Sequence, residues 1–307
     1  MEVLLLAVAL DLTVGDPPNR AHPVAWMGRL IDLGRQLGER CPPPLLRLSG
    51  GALAVIVALA AGAGGFAADR ALGWLPWPLD AFGRAWLLKC TFSLRGLVAA
   101  VWQVRDALAA GDLAGARAAL GTHLVSRHVR TLDASAVASA AIESLSENLT
   151  DSWVAPLCFY LAGGLPAAWA YRAINTADAM IGYREGLLER LGAASARLDD
   201  VLNFLPARLA ACALVAGAWL AGESAAGAWR AWHRDARLTA SPNAGRTMAT
   251  MAGALGVALE KRAHYRLGSG APPDAAAIDR AVRVAAAAAG VTLAAALAVL
   301  HLLRRAS

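Results

Sequence analysis

Apolar residues fall in long blocks separated by short, polar, proline-broken stretches, and these blocks set the expected architecture. Gly51–Ala68, Ser152–Tyr171 and Val284–Leu300 carry no charged residue and meet or approach the roughly 20 apolar residues a helix needs to cross a bilayer. Leu209–Gly222 is shorter and spans only with help from its flanks. Glu2–Val14 predicts a short helix stopped at Gly15-Asp16-Pro17-Pro18, because two successive prolines remove N–H donors and hold the chain extended. A second helix is expected from His22-Pro23 to about Arg40, and Cys41–Pro44 breaks the chain again. Trp74-Leu75-Pro76-Trp77-Pro78 reads as an interfacial turn. Phe82–Leu120 is helical in pattern but carries Arg84, Lys89, Arg95, Arg105 and Arg117, so amphipathic helices on or beside the membrane are expected there. Asp133 is placed to cap a helix running to about Asp151, Gly268–Pro273 reads as a loop, and the last helix runs from about Asp274 to Arg304. The pattern predicts an all-α, polytopic integral membrane protein with about four or five apolar segments plus interfacial helices, and one domain over residues 1–307.

One block contains its own break. Gly163-Gly164-Leu165-Pro166 lies inside Ser152–Tyr171, where each glycine weakens a helix by about 1 kcal/mol and an interior proline by about 3 kcal/mol. A broken or re-entrant hairpin is expected, bringing the polar residues on its two sides to one face of the membrane.

Composition supports the bilayer. The chain is 57% hydrophobic and 17% charged, against roughly 45–50% and about 25% in soluble domains. Val3–Leu10 is too short to cross and has no basic leader, which argues against a cleaved signal peptide. The net charge of +6 is almost all arginine, with lysine only at Lys89 and Lys261. These arginines form no stripe interleaved with aromatics, which argues against nucleic acid; lipid headgroups and a phosphorylated substrate remain as partners. The four cysteines form no CxxC pair and read as reduced thiols.

Polar chemistry concentrates beside the apolar blocks, where ionisable groups are costly and mark a site. Glu143, Glu147 and Asp151 recur at i, i+4, i+8 on one helical stripe, suited to Mg²⁺ completed by water and substrate phosphate. A solvated polar face is the plainer alternative. Asp16 sits in the rigid Pro-Pro turn, with His22 near it. Arg172, Asn175 and Asp178 follow the apolar block, then Asp199, Asp200, Asn203 and Arg208. Ser241-Pro242-Asn243-Ala244-Gly245 is a turn whose backbone N–H groups suit an anion. GxxxxGK(S/T), HExxH and GxSxG are absent.

Taken in order, Asp11-Leu-Thr-Val-Gly-Asp-Pro-Pro18, His22-Pro23-Val24, Glu143-Ser-Leu-Ser-Glu-Asn148 with Asp151, Tyr171-Arg-Ala-Ile-Asn-Thr-Ala-Asp178, Arg197-Leu-Asp-Asp-Val-Leu-Asn203 and Ser241-Pro-Asn-Ala-Gly245 resemble the adenosylcobinamide-phosphate synthase family of cobalamin biosynthesis, the CobD/CbiB membrane proteins. One departure is Arg246-Thr247, where the family often carries Trp-Pro. The resemblance implies an ATP- and Mg²⁺-dependent amide ligase in the cell membrane, its site on the cytoplasmic face. It would join adenosylcobyric acid to 1-amino-2-propanol or its O-phosphate, alongside other membrane enzymes of that pathway. In that chemistry Glu143, Glu147 and Asp151 supply metal ligands, with Asp16 a further candidate, and Arg172 and Arg208 clamp phosphate. His22 or Asp178 accepts a proton, while Asn148, Asn175, Asp199, Asp200, Asn203, Ser241 and Asn243 orient substrate. A polytopic transporter or a non-catalytic membrane sensor are the competing readings.

Overall fold

The computed structural model describes residues 1–126, 128–183 and 185–306. Contacts gather into two compact units interleaved along the chain. The first comprises Met1–Ser93, Ala155–Asn203 and the end of the chain from Val299; the second comprises Leu94–Val154 and Phe204–Ala298.

The first unit contains α1 (Glu2–Thr13), α2 (Pro23–Gly38), α3 (Leu46–Leu72), α4 (Trp77–Lys89), and, after the chain returns to it, α8 (Ala155–Ile181), α9 (Leu188–Leu191) and α10 (Ala193–Leu202). His22 caps α2 by accepting Val24 N–H, and Pro23 occupies the first helical position, where no N–H is needed. On α3, Leu46, Gly50, Leu53, Val57, Ala61 and Gly65 form a buried stripe, while Leu48, Val55, Ile56, Leu59 and Phe66 are exposed. A helix this apolar on its outer face is stable only with lipid beside it. The buried stripe packs with Met27 and Ile31 of α2 and Ala173, Ala177 and Ile181 of α8. Trp74 and Trp77 are exposed at the turn between α3 and α4, as interfacial residues should be.

The break in α8 is present. Gly163 and Gly164 leave helical geometry, with Gly164 at φ 65°, ψ −154°, a region essentially reserved for glycine. The Phe159 and Tyr171 rings stack with centroids 4.7 Å apart. Twelve residues of straight helix would separate them by about 18 Å, so the two arms of α8 fold back on each other. The second arm, residues 165–181, rises about 25 Å. The geometry is that of a hairpin turned at Gly163–Gly164.

The second unit contains α5 (Leu94–Ala109), α6 (Leu113–His123), α7 (Ala134–Leu149), a π-helical turn over Thr150–Val154, α11 (Phe204–Leu220), α12 (Ala225–Asp235), α13 (Ala244–Leu255), the strands β1 (Leu259–Lys261) and β2 (Tyr265–Leu267), and most of α14 (Ala275–Ala306). The β1–β2 hairpin is a small antiparallel ribbon that the sequence pattern did not announce. α12 and α13 touch backbone to backbone where Gly227 and Gly253 face each other, and a side chain at either would strike the other's carbonyl. Trp153 is buried and donates its indole N–H to Ala289 O at 3.2 Å and Thr292 Oγ1 at 2.8 Å, anchoring α14.

Among the described residues, three helical stretches are long and apolar enough to cross a membrane, and five when each of two consecutive helix pairs counts as one span. One such pair is α4 with α5, in the region expected to lie on the membrane surface. Three of its basic residues are partnered: Lys89 pairs with Asp11 and Asp16, Arg84 with Asp69 and Asp80, and Arg105 with Asp106 and Asp279.

Gly164→Ala should lower the thermal midpoint of the detergent-solubilised protein, reflecting a cost of about 1–3 kcal/mol for a side chain in that backbone region. Gly64→Ala, on α3 with open space where a Cβ would sit, is the control and should leave it unchanged or higher. Equal midpoints for the two variants would contradict the strained turn.

Candidate functional site

The packed stripe of α1, Leu4, Ala7 and Val8, continues into a carboxylate at Asp11. Asp11 and Lys89, the last residue of α4, are both fully buried, with Lys89 Nζ 3.7 Å from Asp11 Oδ1. A buried charge is tolerated only with a partner. The second partner is Asp16, which Gly15, at φ 78°, swings back toward α4. Asp16 also accepts Ser93 Oγ–H at 2.6 Å, and His22 Nε2 lies 3.6 Å from it. Burial alone would raise the pKa of Asp16, but hydrogen bonds from His22, Lys89 and Ser93 outweigh it and hold the carboxyl well below the usual carboxylate range.

Asp16 and His22 open onto a cavity of about 380 Å³, whose wall also includes Asn19, Ser93, Arg172 and Thr176. Three residues singled out in the sequence, Asp16, His22 and Arg172, thus share one cavity. His22 does not suit the role of base. Its Nδ1 lone pair accepts Val24 N–H at 3.2 Å, so in the neutral ring the proton sits on Nε2, facing Asp16. Asp178 does not line the cavity; its carboxylate packs on the backbone of Gly182.

Arg172 is held from behind. Its Nη1 donates to Asn175 Oδ1 at 3.1 Å, and Asn175 Nδ2 donates to Asp199 Oδ1 at 3.2 Å. The other Asp199 oxygen accepts Asn203 Nδ2 at 3.0 Å, and Asn203 Oδ1 accepts Tyr171 O–H at 3.0 Å. A carboxylate only accepts, so Asp199 makes both asparagines present NH₂ inward and oxygen outward, toward Arg172 and Tyr171. Asp199, Asn175 and Asn203, expected as substrate contacts, form this internal network. Asp200 neighbours it on α10 and does not line the cavity.

In the second unit, Asp133 caps α7 as expected, accepting Ala136 N–H at 2.8 Å. Glu143 is buried and accepts Ser139 Oγ–H at 2.8 Å and Tyr265 O–H at 2.9 Å. Glu147 is exposed and, with Glu143, lines a cavity of about 220 Å³. Asn148 Nδ2 donates to Ser144 O on its own helix. Asp151 falls in the π turn, so the α-helical stripe does not continue to it. Among the described residues no three His, Cys, Asp or Glu side chains cluster closely enough to cage a metal. The expected Glu143–Glu147–Asp151 triad is therefore not assembled, and one or two carboxylates completed by water and substrate oxygens remain, a fit for Mg²⁺.

The Ser241–Gly245 turn differs from expectation. Ser241 Oγ accepts Asn243 N–H at 3.2 Å and Ala244 N–H at 3.4 Å, and Thr239 Oγ1 accepts Gly245 N–H at 3.1 Å. Hydroxyls thus fill the nest that was read as an anion cradle. Arg208 lies over the Phe204 ring at 3.4 Å and reaches Asn243 Oδ1 at 3.4 Å. Sequence reasoning missed Lys89, Ser93 and Tyr171 as site residues. One of only two lysines in the chain, standing at the end of a helix, was the available signal.

The CobD/Cbib protein family matches residues 4–298. A probable cobalamin biosynthesis protein CobD of Methanothermobacter thermautotrophicus is 42% identical over 269 residues, 87% of this chain and 86% of that one. The cobalamin biosynthesis protein CobD of Klebsiella pneumoniae is 39% identical over 264 residues, 84% and 82% of the two chains. The cobalamin biosynthesis protein CbiB of Salmonella typhimurium is 37% identical over 260 residues, 83% and 80%. No solved structure matches.

Two outcomes follow from the geometry. Asn175→Asp sets two half-buried carboxylates together and should cost about 1–3 kcal/mol in thermal stability. Adding Asp199→Asn restores a complete donor–acceptor chain and should recover most of the loss; a double variant no better than the single would refute the hub. Asp16 has its folded pKa depressed, so its contribution is complete above the unfolded aspartate value near 3.8 and declines as pH falls below it. Asp16→Asn should therefore flatten the stability–pH curve below about pH 4, as read by denaturation at fixed temperature. An unchanged slope would show that the pairing of Asp16 is not coupled to folding.

Proposed function

The chain belongs to the CobD/Cbib family, whose matched relatives are named for cobalamin biosynthesis, and on that premise we propose that it is a membrane-embedded, ATP-dependent amide ligase acting on a corrinoid. It joins the carboxyl group of adenosylcobyric acid to 1-amino-2-propanol or its O-phosphate. The site faces the cytoplasm, where ATP is supplied.

The observation that carries this reading is the cavity holding Asp16, His22 and Arg172, beside an apolar hairpin and with a buried lysine behind it. A carboxylate resists amines because its charge repels the nucleophile and oxide is a poor leaving group. Attack of a carboxylate oxygen on the γ-phosphorus of ATP, with ADP leaving, makes an acyl phosphate. The neutral amine then attacks the acyl carbon, phosphate leaves, and the nitrogen loses a proton. Each step needs phosphate charge neutralised and water kept out. Arg172, fixed by Asn175, is suited to a phosphate oxygen. Asp16, held anionic, is suited to the ammonium end of the amine. His22 positions Asp16 and is not itself the base. The cavity is too small for a corrin macrocycle, so only the acyl arm enters it. In the second unit, Glu147 or Asp151 would hold magnesium, which would supply charge neutralisation for a phosphate bound there.

Purified protein in detergent, given cobyric acid, MgATP and either form of the amine, should release phosphate only when all substrates are present. Arg172→Ala should reduce turnover by at least about 100-fold. His22→Asn keeps a good helix cap and should cost no more than about tenfold. A loss of 10²–10⁴-fold at His22, the range for a general base, would return that role to it. Uptake of corrinoid into vesicles without amide formation would support a transporter instead.

A further inference from the structure

The β1–β2 ribbon separates two cavities in the second unit, and its register sorts its charges between them. Lys261 pairs across the ribbon with Tyr265, and Glu260 with Arg266. Lys261 and Tyr265 face one cavity, whereas Glu260, Arg262 and Arg266 face the other. On α7, Ala140, Glu143, Ser144 and Glu147 recur at i, i+3, i+4, i+7 and form the opposite wall of the Lys261 cavity. Tyr265 O–H to Glu143, and Glu260 N–H to Ser139 Oγ, close the partition.

We propose that this cavity of about 220 Å³ binds the phosphate tail of a nucleoside triphosphate as its magnesium complex, with Lys261 contacting phosphate and Glu147 contacting the metal. This inference rests on the ligase reading and adds to it the place where the nucleotide is held. Lys261 is half-buried and, among the described residues, has no ion pair or side-chain hydrogen bond, although two glutamates line the same cavity. Glu143 is already occupied by Tyr265 and Ser139, so its oxygens are fixed. The described charged side chains on the wall sum to one negative charge, from Glu143, Glu147 and Lys261. Those described charges disfavour a bare polyphosphate. A divalent cation reverses the sign, after which phosphate meets a lysine ammonium and a carboxylate-bound metal in one small polar space. The cavity has room for a phosphate tail and not for a whole nucleotide, so the base lies outside and is not read.

The test is binding of a fluorescent N-methylanthraniloyl ATP to the intact protein in detergent, independent of turnover. Wild type should bind with Mg²⁺ and lose at least tenfold in affinity with EDTA, and magnesium tripolyphosphate should compete. Lys261→Ala should weaken binding at least tenfold, with Lys261→Arg recovering part of it. Glu147→Gln should remove the dependence on Mg²⁺. Arg266→Ala, on the other face of the ribbon, should change affinity less than twofold, and thermal melts establish that each variant is folded. Magnesium-dependent binding in wild type that Lys261→Ala and Glu147→Gln leave within twofold would overturn this site while leaving the ligase reading intact. Absence of nucleotide binding and of ATP-dependent product in wild type would overturn the ligase reading itself.

Discussion

Lys89 sets the terms for the first unit. Its ammonium is fully buried between Asp11 and Asp16, and removing one partner of a buried pair typically costs about 3–5 kcal/mol. That requirement ties the packed stripe of α1, the end of α4 and the Pro-Pro turn to one point. Such a pair is weak evidence for stability, since well-packed apolar residues often do as well. Its effect is positional: Asp16 is presented to a cavity as an anion, with His22 and Ser93 holding its remaining face.

The same constraint recurs wherever polar chemistry meets apolar helix. Asp199 dictates the orientation of two amides and, through Asn175, the posture of Arg172. At the other end of the chain of bonds is Tyr171, whose ring stacks on Phe159 across the α8 hairpin. The Gly163–Gly164 turn, the stacked arms and the arginine in the cavity are therefore one mechanical unit. The hairpin puts residues adjacent to its root, and not at its tip, beside the cavity.

Much of this was legible in the sequence because it depends on local rules. Helix ends at Gly15, Pro23 and Asp133, the extents of α1, α2 and α14, and the glycine break in α8 all follow from capping, proline geometry and apolar run length. Asp16, His22 and Arg172 each stood out singly in the sequence, and the fold brings these three to one cavity. What was not legible depends on long-range pairing. Lys89 looked like a surface charge because its partners lie 73 and 78 residues away in sequence. The carboxylate stripe through Asp151 assumed a continuous α-helix, and a single π turn ended it. The anion cradle at Ser241–Gly245 was a sound reading of turn chemistry, but Ser241 and Thr239 satisfy the same N–H groups from within. The β1–β2 ribbon was too short to carry a periodic signal.

Activation of the corrinoid carboxyl by phosphorylation is tested most directly by following oxygen. With cobyric acid labelled with ¹⁸O in its free carboxylate, turnover with unlabelled MgATP and amine should deliver one ¹⁸O into the released inorganic phosphate for each amide formed, because the carboxylate oxygen that attacks phosphorus leaves with it. Amide formation with no ¹⁸O in phosphate would contradict an acyl-phosphate intermediate.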